Sequence, residues 1–350
     1  MWIRILFAAV LLVLDLGGPW PLNVSLVYAQ KPEVAEIDAW LVRDLQMSSQ
    51  FAVADKMGYF QAEGIKVNPR WYINGPELPS MWGAGNIHLA TATATMVVPI
   101  AASGQAIYNI APQSDIAGTH QVVLGKKGQE IVRTPKDLEK LKIGMPKGAS
   151  LTMAIQAMAK DTGVDFSKIQ FVNLAPPDAI IALAKGDVDA VALWAPWALN
   201  AVKQAGGKVY FTGNRSFIPG KEGQVDWLHV HAGVIASGDM VKKNPNTLKA
   251  VLRALEKATN KINTDREAAV KIVSVEMKID EAATRDIMAL NIYSMEMTDK
   301  IQKGMTEFID FLHSLDRIKQ KFPAEQVLYT KLLEEVDPKL VKWKSSTEVK

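Results

Sequence analysis

The sequence predicts a layered α/β fold with mainly parallel strands, and two features of the chain support this class. Apolar stretches typical of buried strands alternate with amphipathic stretches typical of helices between residues 37 and 237. Two segments also share one layout, 83–98 ("GAGNIHLATATATMVV") and 185–200 ("KGDVDAVALWAPWALN"). Each has a Gly turn, a buried strand and a loop that opens a helix, and Thr93 falls at the position of Trp194. We therefore predict two similar halves.

The first half shows the alternation of helices and strands. In the helix predicted over 48–64, Phe51, Ala54 and Met57 share one face, and Gly64 ends the helix. Further helices are predicted around 76–83 and over 95–103, and strands at 37–45, 65–72, 87–92 and 105–112.

The second half continues this pattern and then becomes helical. Its strands are predicted at 119–128, 142–150, 169–174, 188–193, 207–213 and 229–237, with helices at 151–163 and 176–185. Asn244 and Pro245 then predict a helix start, with Asn as the N-cap and Pro at the first position. The apolar stripe of this helix is Leu248, Val251, Leu255 and Ala258.

The composition excludes several classes of protein. The 350 residues carry 40 basic and 37 acidic side chains, and a net charge of +3 is too balanced for a nucleic-acid-binding surface. The chain has no cysteine, which excludes disulfides, thiolate metal sites and cysteine nucleophiles. It also lacks G-x-S-x-G, H-E-x-x-H and P-loop motifs, so we expect no enzyme and no cofactor.

The N-terminus has the pattern of a secretory signal peptide, predicted over residues 1–29. Arg4 precedes an apolar run at 5–14 that is short for a membrane span, and small residues lead to a predicted cut after Ala29. A membrane anchor is the alternative. No cysteine follows that could carry a lipid, and no later segment reads as a transmembrane helix. We therefore expect the mature protein to be free in the periplasm.

Three segments resemble one family of transport proteins. Residues 51–67 ("FAVADKMGYFQAEGIKV"), 171–209 and 238–258 are similar to segments of periplasmic solute-binding proteins of ABC importers, in the nitrate, sulfonate and taurine group. The middle segment, which contains "PPDAIIALAKGDVDAVALWAPW", is most similar to taurine and alkanesulfonate binders. The resemblance implies a type II periplasmic-binding-protein fold, with two α/β lobes, two crossover strands as a hinge, and a helical C-terminus packed on lobe one.

The resemblance also implies domain boundaries and partners. Lobe one is expected over 33–120 and 232–350, and lobe two over 121–231, with crossovers near 118–124 and 229–236. A ligand that contacts both lobes would stabilise the closed form, which the importer would recognise. The implied partners are a small anionic ligand and the transmembrane subunits of an ABC permease. We expect a monomer that binds no nucleic acid.

The candidate ligand site follows from the fold, because ligands of parallel α/β sheets bind at the carboxyl ends of strands. Helix starts at these ends offer free backbone N–H groups to an anion. The loops expected at the cleft are 43–48, 91–96, 113–119, 146–152, 194–197 and 226–232. The candidate ligand-binding residues are Gln46, Ser48, Thr93, Thr95, Asp115, Gly148, Ser150, Thr152, Trp194 and His229.

The identity of the ligand stays open from the sequence. A sulfonate is the leading hypothesis, and nitrate, a pyrimidine or riboflavin-type vitamin precursor, or an aromatic acid are alternatives on the same fold. Taurine needs a partner for its ammonium group, but Ala232 stands where we expect an acid, which leaves Asp115 and Asp226 as candidates. His229 and His231 share a strand face and are candidates for binding an anion or, as a weaker alternative, a metal.

Two alternatives to a transport role also remain. A periplasmic sensor subunit would use the same fold and the same cleft, and the sequence does not separate sensing from transport. Thiamine-pyrimidine synthases resemble this group and are enzymes, but they carry a cysteine-rich signature that this chain lacks.

Overall fold

The strands form two sheets, which confirms the α/β class predicted from the alternation. The computed structural model describes residues 30–72 and 77–349, so the predicted signal peptide at 1–29 lies outside the described residues. The strands are β1 Glu36–Val42, β2 Lys66–Tyr72, β3 Leu89–Ala92, β4 Ile107–Asp115, β5 His120–Leu124, β6 Lys142–Met145, β7 Gln170–Asn173, β8 Ala190–Trp194, β9 Lys208–Thr212, β10 Arg215–Ser216, β11 Gly223–Gln224, β12 His231–Ser237 and β13 Ile292–Tyr293.

Helices lie between most successive strands up to β9, and the chain after β12 is mainly helical. They are α1 Ser49–Lys56, α2 Tyr59–Ala62, α3 Leu78–Gly83, α4 Ala94–Ala102, α5 Lys126–Ile131, α6 Leu151–Thr162, α7 Pro176–Lys185, α8 Trp197–Ala205, α9 Gly238–Lys243, α10 Pro245–Thr264, α11 Arg266–Met277, α12 Glu281–Ala289, α13 Asp299–Ser314 and α14 Lys331–Val336. Within 30–72 and 77–349, no helix combines the length and the apolar character that a membrane span needs.

Sheet one has the strand order β2, β1, β3, β12, β4, β13. Strand β1 runs parallel to β2 and β3, whereas β12 lies between β3 and β4 and is antiparallel to both. Strands β1, β3 and β4 therefore point the same way. Their carboxyl ends lie at one edge of the sheet, together with the first residue of β12.

Sheet two has the strand order β7, β6, β8, β5, β9, β10, β11, and all of its strands come from residues 120–224. Strands β6, β7 and β8 are parallel, and β5 runs antiparallel to its neighbours β8 and β9. The carboxyl ends of β6 to β9 thus lie at one edge, together with the start of β5.

The chain passes between the sheets twice. Residues 116–119 join β4 to β5, and residues 225–230 return the chain from sheet two to β12. The Ile116 N–H donates to the Val230 carbonyl at 3.1 Å, so the two segments lie side by side. Because both segments start and end at the edges described above, those edges face each other. A division into lobes at these segments remains a prediction.

Helix α10 shows how the C-terminal helices pack. The predicted stripe is confirmed, because all four of its apolar residues are fully buried. The helix contacts α1, α2 and α14, and α13 contacts α4. A second, smaller core cluster lies in sheet two and includes Leu183 of α7, Val191 of β8 and Ala201 of α8.

The N-terminal segment of the described chain caps α10. The Glu33 carboxylate accepts the N–H groups of Asn246 and Thr247 at 2.9 and 2.7 Å, and the Thr247 hydroxyl at 2.9 Å. Asn244 is the N-cap residue and Pro245 takes the first helical position, as predicted, but the Asn244 side chain makes no capping hydrogen bond. The Asn244 amide instead donates to the Met240 sulfur of the preceding helix, and Glu33 replaces it from the far end of the chain.

Two further local predictions need correction. The helix predicted over 48–64 is divided into α1 and α2 by Gly58, whose φ of 70° is left-handed. The strand predicted over 119–128 ends at residue 124, where α5 begins almost at once. Gly128 makes this close packing of α5 possible, since a Cβ there would lie 2.3 Å from the Asp189 carbonyl oxygen.

Candidate functional site

The facing edges of the two sheets are joined by the side chain of Gln46, in the loop after β1. Its Nε2 donates to the carbonyl of Ala195, which follows β8 in sheet two, at 3.1 Å. Its Oε1 accepts the hydroxyl of Thr119, from the first crossing segment. Its backbone carbonyl accepts the Ser114 hydroxyl at 2.8 Å. One predicted site residue therefore links both edges and the segment between them.

The rest of this loop is held by Asp44. One carboxylate oxygen accepts the N–H groups of Gln46 and Met47 at 2.7 and 2.9 Å. Burial nevertheless raises the pKa of Asp44 to about 6, because desolvation outweighs these two hydrogen bonds. Ser48 is fully buried, and its hydroxyl donates a hydrogen bond to the Val42 carbonyl at 2.7 Å. The hydroxyl proton of Ser48 is therefore already bonded within the loop.

Helices α1, α4, α6 and α8 begin at the facing edges, and none of their N-caps makes a side-chain capping bond. At the opposite edges, α9 is capped, because the Ser237 hydroxyl accepts the Met240 N–H at 3.2 Å, whereas α5 has no side-chain cap. Helix N-termini carry partial positive charge and unsatisfied N–H groups. The facing edges are thus electrostatically suited to an anion.

Predicted hydroxyl residues lie at the starts of two of these helices. At α4, the hydroxyls of Thr93 and Thr95 contact each other at 2.7 Å, and one of them donates to the other. At α6, the half-buried hydroxyls of Ser150 and Thr152 have no hydrogen-bond partner within the described chain. Gly148 precedes them with a φ of 79°, a left-handed turn that directs the loop into α6.

Trp194 ends β8 at the edge of sheet two and is half-buried, and its contact with a ligand remains a prediction. It pairs directly with His120, the first residue of β5. Directly opposed residues of antiparallel strands project their side chains from the same face. Trp197 begins α8 and instead packs against the core cluster of sheet two.

His229 lies in the second crossing segment and contacts α13. Its Nδ1 lies 2.9 Å from Glu307, and its side chain is almost fully buried. Asp226 of the same segment accepts a hydrogen bond from Lys300 of α13 at 2.7 Å, which lowers the Asp226 pKa. These contacts attach the segment to α13, and a ligand contact by His229 remains a prediction.

Asp115 and His231 are paired where β4 ends and β12 begins. One oxygen of Asp115 accepts the Ala117 N–H at 2.8 Å, which shapes the first crossing segment. Burial lowers the pKa of His231, although the charge of Asp115 opposes this effect. In the part of the chain that the structure describes, no cluster of three or more His, Asp and Glu side chains is arranged to hold a metal ion.

The candidate residues predicted from the sequence do not include Thr119 and His120. Both lie in the region predicted as the first crossover, and Thr119 also ends the predicted cleft loop 113–119. Their importance comes from contacts with Gln46 and Trp194, which are far away in the sequence.

The two sheets and their facing edges define the fold of periplasmic binding proteins. The structure is similar to that of the periplasmic aliphatic sulphonate binding protein SsuA from Escherichia coli. The TM-score is 0.70 at 17% sequence identity, and the match covers 85% of this chain and 92% of that one. This similarity confirms the predicted periplasmic-binding-protein fold, with its α/β architecture of two sheets.

The chain belongs to the NMT1/THI5-like family, whose model matches residues 47–269. A Brucella abortus protein whose name describes it as a binding protein is 26% identical over 267 residues, which are 75% of this chain and 79% of the relative. The taurine-binding periplasmic protein of Escherichia coli is 24% identical over 184 residues, 53% of this chain and 51% of that protein. The resemblance stated from the sequence is thereby confirmed.

Proposed function

We propose that this chain is the substrate-binding component of an ABC importer, and that it captures a small organic anion of the sulfonate type between its two sheets. The observation that carries the proposal is the convergence of four uncapped helix N-termini at the facing edges. An anion at such a helix end gains roughly 0.3–1 kcal/mol from each dipole at exposed sites and more when partly buried.

Free hydroxyls supply the directional part of this binding. Ser150 and Thr152 from the sheet-two side, and Thr93 or Thr95 from the sheet-one side, donate to the oxygens of the anion. A tetrahedral sulfonate head has three oxygens, so donors from both sides are able to reach it at once. The names of two similar proteins, one taurine-binding and one aliphatic sulphonate binding, support this ligand class.

Closure of the cleft couples binding to delivery. The contact of Gln46 with Ala195 spans the two edges, so a ligand that draws the edges together also favours this contact. The closed form is the one recognised by the transmembrane permease subunits. We place the protein in the periplasm as a monomer after removal of residues 1–29, with a binding role and no catalysis.

The proposal is tested by thermal shift against a panel of taurine, alkanesulfonates, nitrate, aromatic acids, hydroxymethylpyrimidine and riboflavin. At about a hundredfold excess over Kd, a ligand adds roughly 2.7 kcal/mol of stability, which raises Tm by several degrees. A shift with at least one sulfonate is expected. Shifts with none of the sulfonates would refute the ligand class.

An aromatic anion is the second candidate, and one observation favours it. Trp194 is half-buried at the edge of sheet two, where its ring is available to stack on a planar ligand. A shift with aromatic acids alone would assign the cleft to that class and keep the importer role.

A further inference from the structure

His120 stands at the centre of the facing edges, and nothing in the proposed anion site uses it. It begins β5, is 7% exposed, and pairs with Trp194. Its partner Trp194 is followed by Ala195, whose carbonyl accepts the Gln46 amide and whose N–H donates to the Thr119 carbonyl at 3.0 Å. His120 therefore lies at the edge of sheet two that faces sheet one.

The hydrogen bonds around Nδ1 define the tautomer of this imidazole. Nδ1 lies 3.2 Å from the carbonyl oxygen of Ile116, which can only accept a hydrogen bond. The Thr119 hydroxyl is 3.3 Å away, but its single proton has closer acceptors in Gln46 and Ile116. Nδ1 must therefore carry the proton and donate to Ile116. This assignment follows from the hydrogen-bond network.

The second ring nitrogen, Nε2, is then an unprotonated acceptor. It has no hydrogen-bond partner in the described part of the chain. It is not one of the fully enclosed side-chain atoms without a partner, so it keeps some exposed surface. Burial lowers the pKa of His120 to about 4, although the bond to Ile116 opposes this effect. The ring thus stays neutral near pH 7, and Nε2 keeps its lone pair.

We infer that His120 Nε2 is a specificity-determining acceptor in the cleft, and that the ligand carries an O–H or N–H donor besides its anionic group. The inference rests on the proposed function for the anionic group. A neutral imidazole nitrogen cannot donate to a sulfonate oxygen, so this atom recognises a different part of the ligand. A bare alkyl chain at this point would leave the nitrogen desolvated and without a partner, which costs affinity.

The first test uses the wild-type protein without any ligand. Two-dimensional NMR that correlates the imidazole nitrogens with the ring protons reports the tautomer of His120 at pH 7. We expect a neutral ring protonated at Nδ1. A ring protonated at Nε2, or a charged imidazolium, would overturn the inference whatever the protein binds.

The second test compares three two-carbon probes by isothermal titration calorimetry. Ethanesulfonate has no terminal donor, whereas isethionate and taurine carry a hydroxyl and an ammonium group. Wild-type protein should bind the better of the two donor probes about tenfold more tightly than ethanesulfonate, or more. Equal Kd values for all three probes would overturn the inference.

Substitutions assign the preference to His120. In His120→Asn the amide can still donate to Ile116 while the Nε2 acceptor is removed, so the ratio of Kd values should fall close to one. His88→Asn is the matched control, because His88 is exposed and precedes β3 at the opposite edge of sheet one. It should keep the wild-type ratio. A wild-type ratio in His120→Asn would overturn the inference.

Failure of the proposed function can be distinguished from failure of the inference about His120. If wild-type protein binds none of the three sulfonates, the sulfonate proposal fails. The NMR tautomer still decides whether His120 presents an acceptor to the cleft.

Discussion

Replacement of Glu33 by alanine tests whether the start of the chain stabilises helix α10. Glu33 accepts hydrogen bonds from two backbone N–H groups in the first turn and from the Thr247 hydroxyl, and no side chain of the helix itself takes this role. Loss of a helix cap costs about 0.5–2 kcal/mol. Because Glu33 is exposed, solvent screens its charge, and we expect a loss of about 1 kcal/mol. At a urea m-value of about 3 kcal/mol/M, the unfolding midpoint falls by about 0.3 M.

The same variant has a defined pH dependence. Burial opposes ionisation of Glu33, but the bonds from Asn246 and Thr247 outweigh it and hold the pKa below its ordinary value of 4.5. A carboxyl group with a lowered pKa contributes stability above its unfolded-state pKa and loses it as pH falls through the folded-state pKa. Urea midpoints of wild type and Glu33→Ala should therefore differ at pH 7 and converge below pH 4.5.

Glu36→Gln is the matched control for this prediction. Glu36 is also an exposed acid near the N-terminus, but its main partner is Lys66, in a surface ion pair at 3.0 Å. Such pairs contribute little, so its urea midpoint at pH 7 should stay near wild type. The reasoning fails if Glu33→Ala has the wild-type midpoint at pH 7, or if its deficit remains unchanged at pH 3.

Three further predictions concern the cleft. Trp194→Ala should weaken binding of the panel ligand strongly while Tm without ligand changes little, and unchanged affinity would mean that the cleft lies elsewhere. Ser150→Ala with Thr152→Ala should weaken binding by roughly 1–3 kcal/mol, measured by calorimetry, and no effect would move the anionic group away from α6. Gln46→Leu removes the bonds to Ala195 and Thr119, so the closed form should lose about 1 kcal/mol per bond. X-ray scattering should then show a larger radius of gyration with ligand than wild type, and an unchanged radius would count against a role in closure.

Local periodicity made most of the fold predictable. The stripe of α10 was read correctly because burial of one helix face repeats every three to four residues, and the positions of most strands followed from short apolar runs. The candidate site follows from a different rule, that ligands bind where parallel strands end, and its position stays a prediction. The loops after β1, β3 and β8 were therefore named before any contact was known.

Contacts between distant residues were not predictable in this way. Asn244 is the N-cap residue, yet the hydrogen bonds to the first turn of α10 come from Glu33, which is 213 residues from Asn246 in the sequence. His120 has no local signal either, because its tautomer depends on how the crossing segment folds back on Ile116. In both cases a hydrogen bond that forms only in the folded protein selects one of two arrangements that the local sequence allows equally.

The position of β12 has a consequence for the order in which the protein is built. The chain is synthesised from its N-terminus onward, so every strand of sheet two has been made once residue 224 has been added. Sheet one still lacks its central strand at that moment, so β3 and β4 have open edges facing the gap that β12 will fill. Unpaired strand edges template aggregation. While residues 116–231 are being synthesised, the open edges of β3 and β4 are therefore exposed. At this stage a chaperone that binds unfolded chains protects the protein most from aggregation.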